Sequence, residues 1–600
     1  TIPMMKKVGF SAEKAGAVEV ASSVNGQIMP PVMGAAAFLM VEYVGIPYVE
    51  IIKHAFLPAA ISYIALLYIV HLEALKLGMQ PIGHYQPKPW LQRLVGFAFG
   101  SALISGISLI VYYGLGWLKP ALGDHALLVI GILLALTYFL LLKIAAGTPP
   151  LALDDPDKPL EELPKTREVL LSGLHFVLPV VVLVWCLMVE RLSPGLSAFW
   201  GSVILIFILL TQRPILTWMR KDHSYHHGGW LDGFVDLREG LITGARNMIG
   251  IGIATATAGV IVGAVSQTGV GLVLADLVEL LSMGNLLLML IFTAVFSLIL
   301  GMGLPTTANY IVVSSLLAPV IITLGQQNGL IVPLIAVHLF VFYFGIMADV
   351  TPPVGLASFA AAAVSKGNPI KTGVQAFYYS LRTALLPFLF IFNTDLLLIN
   401  IDFMHGVLIF VVATIAMLIF AAGTQGWFIT RNRWYENILL LLVAFTLFRP
   451  GFWMDIIHDP YQDIPPSQLV QVLGEVDEAS KLRLQILGQD GYGDPHEFVI
   501  LLPVPNGASG EERLQALGLM LYEDDGKILI DNVAFASQAA DLGLEFDQEI
   551  LKVRAPTDRM RKEIMWIPGL LLLLIISVLQ WRRRPAINEK INAQKPQAIL

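Results

Sequence analysis

Charge is scarce in this chain. Of its 600 residues only 14% are Asp, Glu, Lys or Arg, 56% are hydrophobic, and mean hydropathy is +0.71. A soluble domain carries nearer a quarter charged residues. That shortage excludes a wholly soluble protein and predicts an integral membrane protein with many spans. Cysteine is almost absent too. Cys186 is the only one and lies in an apolar run, which excludes disulfides and thiolate metal centres and leaves it a packing role. No Gly-x-x-x-x-Gly-Lys-[Ser/Thr] sequence is present, which argues against an ATP-driven pump, and neither His-Glu-x-x-His nor Gly-x-Ser-x-Gly occurs. The net charge of −7 decides little, because in a membrane protein the placement of charges matters more than their sum. No nucleic-acid partner, organic cofactor or resident metal is expected.

What the chain does have is one event that happens twice. Asn25-Gly-Gln-Ile-Met-Pro30-Pro31-Val32 and Ala348-Asp349-Val-Thr-Pro352-Pro353-Val354 both continue to Ala after two further residues, 322 residues apart. Each sits inside an apolar segment long enough to cross a bilayer. Tandem proline removes amide donors and clashes with the preceding turn, so it breaks an α-helix. In a membrane the freed carbonyls still need partners, so such breaks persist where they line a protein cavity or hold an ion. Paired interruptions in corresponding halves of a membrane chain point to a transporter's binding site. The competing reading is a pair of ordinary proline kinks.

A third interruption, Gly301-Met-Gly303-Leu-Pro305-Thr306-Thr307-Ala-Asn309, falls inside another hydrophobic run. A helix stopping there leaves bare carbonyls, and the next begins with bare amides that Thr and Asn can cap. Bare carbonyls suit a cation and helix N-termini suit a carboxylate. The expectation is a re-entrant hairpin, against the alternative of a filled kink. The candidate cation ligands are Ser22, Ser23, Asn25 and Gln27 at the first break, Asp349 and Thr351 at the second, and Thr306, Thr307 and Asn309. Sodium, a hard ion, prefers such oxygens.

In chain order, a helix start is expected at Ser11, then a broken helix over 20–41 and a span over 51–75. Further spans are predicted near 93–117, 125–146, 169–190, 196–212, 373–399, 404–423, 435–452 and 564–580. The loops near 80, 155 and 220 carry the Lys and Arg residues, which places them in the cytoplasm. His223, His226 and His227 share the last of these with Arg220 and Lys221, and a solvated interfacial segment explains them better than a metal site. The loop after the second break holds Lys366 and Lys371, where its counterpart at 42–50 is acidic. Two related segments therefore run in opposite directions, an inverted repeat. The small-residue run over 250–259 predicts a helix buried in a packed bundle. Composition changes at 455–562, a soluble domain expected outside the cytoplasm, and Arg582, Arg583 and Arg584 anchor the C-terminus inside.

The expected fold class is an all-α polytopic membrane protein with inverted repeats and discontinuous helices, carrying a small α+β domain near the C-terminus. The divisions are 1–76, second part of the first transport half; 77–245, connecting and scaffold helices; 246–400, second transport half; 401–454, additional helices; 455–562, the soluble domain; and 563–600, last helix and tail. Two further polar residues at membrane depth need an explanation. His338 is either a hydrogen-bonded packing residue or part of a transport path. Arg382 is costly there and needs a partner; it either meets a substrate carboxylate or snorkels to the cytoplasmic face. A membrane-embedded enzyme regulated by the soluble domain is the alternative function, and it lacks an evident nucleophile–base pair.

The opening Thr1-Ile-Pro-Met-Met-Lys-Lys, the Pro30-Pro31 break, Gly301–Asn309 and Asp349-Val-Thr-Pro-Pro-Val-Gly355 together resemble the large membrane subunit of tripartite ATP-independent periplasmic (TRAP) transporters. The nearest type is the fused permease that works with TAXI-class binding proteins, over about residues 1–400. The resemblance implies an elevator-type carrier in the bacterial inner membrane. A sodium gradient would import an organic acid handed over by a periplasmic binding protein. Relative to that family the first scaffold helices and part of the first hairpin are missing, so an upstream segment or second chain is expected to supply them. Separately, Leu517-Gly518-Leu519-Met520-Leu521 and the run from Ile528 to Val553 resemble a bacterial PDZ module. The Gly-Leu loop would be its carboxylate-binding loop, and the usual last strands are replaced by a basic run into the membrane helix.

Overall fold

The computed structural model describes residues 1–79, 89, 120–148, 166–220, 230–268, 285–301, 306–327, 330, 332–353, 355–476, 481–489, 495–507, 509–557 and 559–593, with scattered positions in 91–119 and 273–283. The predicted span at 93–117 is covered only in part. Residues 149–165, His223, His226, His227, Gly303, Pro305 and Val354 lie outside the described residues. The chain divides into two compact units. One comprises 1–2, 10–78 and 253–600, the other 3–9 and 79–252.

After a short helix α1 (Ile2–Lys7), the larger unit opens with α2 (Ala12–Asn25), a 3-10 turn and α3 (Ala35–Val44). Ser11 caps α2 by accepting a 3.2 Å bond from the Lys14 amide, and the helix ends at the first break. The Pro30-Pro31 bond is cis, as is Pro352-Pro353. The long helix α4 (Tyr48–Lys76) follows. The second half of the unit holds α10 (Leu286–Gly301), α11 (Thr306–Gln327), α12 (Leu334–Ala348), α13 (Leu356–Ser365) and α14 (Pro369–Phe392). Every residue of α12 after Leu334 is buried, which makes it the central element of the half.

The two discontinuous helices run antiparallel. Gly16 of α2 packs so tightly on Ser365 and Thr372 that an added Cβ would lie 3.2 Å from one hydroxyl oxygen and 3.0 Å from the other's methyl. At the far end, Tyr43 of α3 sets its ring 6.1 Å from Tyr310 and 5.9 Å from His338. The beginning of one helix pair therefore meets the end of the other, and the breaks face each other between.

Arg382 explains how these helices are tied. It is 1% exposed on α14, so it does not snorkel. Its Nε donates to the Ser62 carbonyl of α4 at 2.9 Å, and its terminal nitrogens donate to the carbonyls of Tyr379 and Ala21. Beside it Asn25 donates to Ser62 Oγ at 2.9 Å and accepts from Thr383 Oγ1 at 3.1 Å. One buried cluster thus joins α2, α4 and α14, using carbonyls to neutralise a charge that has no carboxylate partner among the described residues.

The C-terminal part starts with α15 (Phe403–Gln425) and α16 (Trp434–Phe448). The predicted unbroken span over 435–452 is corrected here. The chain bends by 82° between α16 and α17 (Pro450–Ile457), since Pro450 lacks the amide to continue the helix. The span predicted over 373–399 also stops early, at Phe392; a 3-10 turn over Thr394–Leu397 and a left-handed Leu398 follow. A six-stranded antiparallel sheet follows α17, with β1 (Tyr461–Ile464), β2 (Lys481–Gln489), β3 (Pro495–Pro503), β4 (Leu519–Asp524), β5 (Lys527–Val533) and β6 (Glu549–Pro556). Its order is β3-β2-β6-β5-β4, with β1 also on β6. Helices α18 (Leu469–Glu475), α19 (Gly510–Leu517) and α20 (Gln538–Asp541) cover it, and Leu473, Leu484, Leu502 and Val553 fill one core. The last helix, α21 (Trp566–Ala593), packs back on α16. There Arg583 donates to Glu436 at 2.6 Å and Gln580 at 3.0 Å.

In the smaller unit, α5 (Ala126–Ala146), α6 (Thr166–Gly173), α7 (Leu178–Met188) and α8 (Pro194–Arg220) pack together. Tyr138 and Thr211 hydroxyls lie 2.9 Å apart, and Cys186 is buried. The predicted span at 169–190 is interrupted by a 3-10 turn at Leu174–Val177. Helix α9 (Trp230–Thr268) carries the small-residue run, and here the expectation of burial fails. Ile253 is 64% and Val260 72% exposed, and a Cβ at Gly252 or Gly259 would meet nothing within 4 Å. Small residues permit close helix approach, but no described part of this chain makes it. Among the described residues seven helices are long and apolar enough to span a bilayer, eight if the bent pair counts as one.

Replacing Arg382 by Met removes charged bonds to two other helices, each worth about 1.5–3 kcal/mol. The expected outcome is a melting temperature in detergent lowered by several degrees. Arg382→Lys is expected to recover only part, because an ammonium cannot fork across three carbonyls. A melting temperature unchanged in both would show that the cluster does not tie the helices.

Candidate functional site

Three elements converge where the breaks meet. Gln27 stands three residues before Pro30, and Asp349 three residues before Pro352. These equivalent positions of the two halves approach each other, with the Gln27 side chain near the Asp349 carboxylate. Thr306, at the start of α11, donates to the same carboxylate at 3.0 Å. One acidic group therefore joins the first break, the second break and the tip of the α10–α11 hairpin.

The hairpin tip is packed against α12 without room for a side chain. A Cβ on Gly301 would fall 2.3 Å from the Ala348 Cβ and 2.5 Å from Asn309 Nδ2. Asn309 is fully buried, and its Nδ2 donates to the Ser297 carbonyl at 3.0 Å. Among the described residues its Oδ1 has no hydrogen-bond partner, and neither have the hydroxyls of Ser297 and Thr293 on α10. Buried polar atoms are nearly always satisfied, so a concentration of unclaimed oxygens calls for an explanation. Oxygen donors of this type are the ligands of a hard cation, and the open first turn of α11 favours an anion.

The sequence candidates separate into groups. Gln27, Thr306 and Asp349 come together, with Asn309 on the next turn of α11. Asn25 sits instead in the Ser62–Thr383–Arg382 cluster. Ser22 donates to the Glu19 carbonyl within α2, Thr351 donates back to the Met347 carbonyl at the end of α12, and Ser23 is exposed. Thr307 is half-buried beside Thr306. His338 is 3% exposed, with Nδ1 2.7 Å from the Tyr310 hydroxyl, and this pair belongs to the aromatic packing of α11 and α12. Arg382 points its donors at backbone carbonyls. Among the described residues no group of three or more His, Cys, Asp or Glu could hold a metal ion.

Sequence reasoning missed Ser62, Thr383, Thr293 and Ser297. Each is a lone hydroxyl in an apolar run and carries no local signal. The matched spacing of Gln27 and Asp349 from their prolines was in plain view and marks one place where the halves approach each other at the breaks.

Gly301→Ala is expected to push the hairpin tip off α12, with a packing cost of about 1–3 kcal/mol, and to abolish transport in reconstituted vesicles. Gly259→Ala, placed in open space, is expected to be silent. Wild-type uptake by Gly301→Ala would refute the close-packed tip.

Two family models match the chain. "Tripartite ATP-independent periplasmic transporter, DctM component" covers residues 1–123 and 124–404. "Domain of unknown function (DUF3394)" covers residues 406–586. The second match takes in α15, α16, the sheet domain and most of α21 as a single module, where the sequence reading divides the same stretch at 454 and 562. No curated protein matches the chain. With the first model covering both discontinuous helices, the hairpin and the meeting of Gln27, Thr306 and Asp349, the chain belongs to the DctM family of membrane permeases of tripartite ATP-independent periplasmic transporters.

Proposed function

We propose that this permease uses an inward sodium gradient to import a carboxylate-bearing organic acid, delivered by a periplasmic binding protein of the TAXI class. A periplasmic binding partner follows from the family itself; the coupling ion, the substrate chemistry and the partner class are the further reading. The observation that carries it is the single carboxylate of Asp349, hydrogen-bonded by Thr306 and near Gln27, beside unclaimed buried oxygens. Sodium bound there would neutralise Asp349 and draw the hairpin tip onto the breaks. An organic carboxylate would then find the amide end of α11.

The movement follows from the same arrangement. Inverted repeats permit two similar conformations, open to opposite sides. We take the hairpin, both breaks and their helices as the moving body, and α15 and α16 as static. The bend at Arg449–Pro450 does not alter this assignment, since it leads into the sheet domain. Sodium with substrate shifts the populations by binding one state better.

Orientation rests on charge. Lys14, Lys76, Lys366, Lys371, Arg431, Arg433 and Arg582–Arg584 gather at the end of the helices away from the sheet domain, and basic residues mark the cytoplasmic side. The sheet domain then lies in the periplasm of a bacterial inner-membrane protein. The likeness to a PDZ module stays part of this reading, supported by the Leu517–Leu521 segment leading into β4.

Asp349→Ala and Asn309→Ala are expected to weaken sodium activation of uptake at least tenfold while membrane levels hold. Unchanged sodium dependence in both would sink the ion assignment. In a Cys186→Ser background, a cysteine at exposed Gln538 is expected to react with an impermeant thiol reagent from the periplasmic side. Labelling only after the inner membrane is breached would invert the topology. Spin labels on α11 and α15 should give two ligand-dependent distances; a single distance in every condition, with transport intact, would replace the elevator by small gates.

A further inference from the structure

Where the sheet domain meets the membrane helices, the structure holds an open cavity of about 620 Å³. Four cations line it, Arg449, Arg483, Arg559 and Lys562, against one carboxylate, Asp455. Two of the cations are committed. Arg559 donates to Asp455 at 2.7 Å, and Lys562 to Asp395 at 2.9 Å. The other two are not. Among the described residues neither Arg449 nor Arg483 donates a side-chain hydrogen bond or has an acidic partner within ion-pair distance, and the Nε of Arg483 is buried without any partner.

Both free arginines are nevertheless held in place. The Arg449 guanidinium stacks 4.4 Å over the Phe392 ring and 5.6 Å over that of Phe452. Arg483 stacks 4.4 Å over Tyr461. Stacking fixes the plane of a guanidinium and leaves its edge donors free. A planar fork of this kind is matched to a carboxylate, which it binds with two parallel hydrogen bonds. The two come from different parts of the fold: Arg449 from the bend after α16, Arg483 from β2. The cavity therefore exists only because the sheet domain sits on the helices. Its wall also includes Leu286 and Leu330, at the base of the hairpin whose tip carries Thr306 and Asn309.

We propose that this cavity is a second anion site, an entry vestibule in which Arg449 and Arg483 hold the carboxylate of a small organic acid before it reaches the hairpin tip. A basic, low-dielectric cleft concentrates anions and steers their arrival. The sheet domain thereby acquires a role in transport itself. The role in transport rests on the periplasmic placement and organic-acid substrate proposed above; the binding itself does not.

Binding is tested on the purified full-length permease in detergent, by phenylglyoxal modification of arginines read by peptide mass spectrometry. Succinate in the medium is expected to slow modification of Arg449 and Arg483 severalfold while leaving exposed Arg431 unchanged. No protection by succinate overturns the site. Protection only by a short-chain phosphatidylglycerol, and not by succinate, also overturns it and assigns the arginines to a lipid headgroup. Because this readout needs neither orientation nor transport, it stands or falls apart from the functional reading. In vesicles with the cognate binding protein, Arg449→Gln and Arg483→Gln are each expected to raise the KM for uptake about tenfold, the loss of roughly one charge-assisted contact, with maximal rate and melting temperature unchanged. Arg→Lys variants are expected to lie between. A KM unmoved in both Gln variants overturns the vestibule as an entry site.

Discussion

A helix that stops inside a membrane strands carbonyls and amides where no water can reach them. This chain breaks helices three times and still has to satisfy that demand. Its answer is to set the interruptions against one another, with Asp349 taking a hydrogen bond from Thr306 and lying near Gln27. The antiparallel course of the two discontinuous helices and the close packing of the hairpin tip on α12 bring these residues together. The Arg382 cluster does the corresponding task one layer away, using a guanidinium in place of a carboxylate to gather carbonyls from α2, α4 and α14. Acid at one junction and base at the other keep the interior nearly neutral without a direct ion pair.

Much of this was legible from residues alone, and what was missed has a physical reason. The doubled prolines announce their breaks because no helix continues through them, and the Lys and Arg loops mark the opposite courses of the halves. Ser11 caps its helix as its position suggests. Hydroxyl residues such as Ser62 and Ser297 are silent, since in a helix they either bond the preceding turn or reach across, and only packing decides which. The run over 250–259 misleads because small residues allow close approach without supplying the neighbour. Arg382 was read as a substrate ligand or a snorkelling charge; a third solution, backbone carbonyls from three helices, is invisible without tertiary contacts. In the sheet domain β1 and β2 emerge only from pairing with β6, and β3 only from pairing with β2.

The module after residue 404 changes how the permease is divided. Helices α16 and α21 are bound by Glu436, Gln580 and Arg583 at one end and by the Trp566 bond to the Leu447 carbonyl at the other. The sheet domain is an insertion between α17 and α21, and its seat on the helices encloses a cavity lined by both. A soluble domain mounted so close to membrane helices is thereby placed to touch whatever enters them.

One detail of that mounting has a wider consequence. The strand that leads into the sheet domain, β1, and the strand that leads out, β6, are hydrogen-bonded neighbours, and Thr557 closes the loop by donating to the carbonyls of Pro460 and Asp459. Entry and exit are therefore side by side, like the two leads of a plug. A domain attached in this way can be gained, lost or exchanged in evolution by a single excision, with the flanking helices left to close over a short turn.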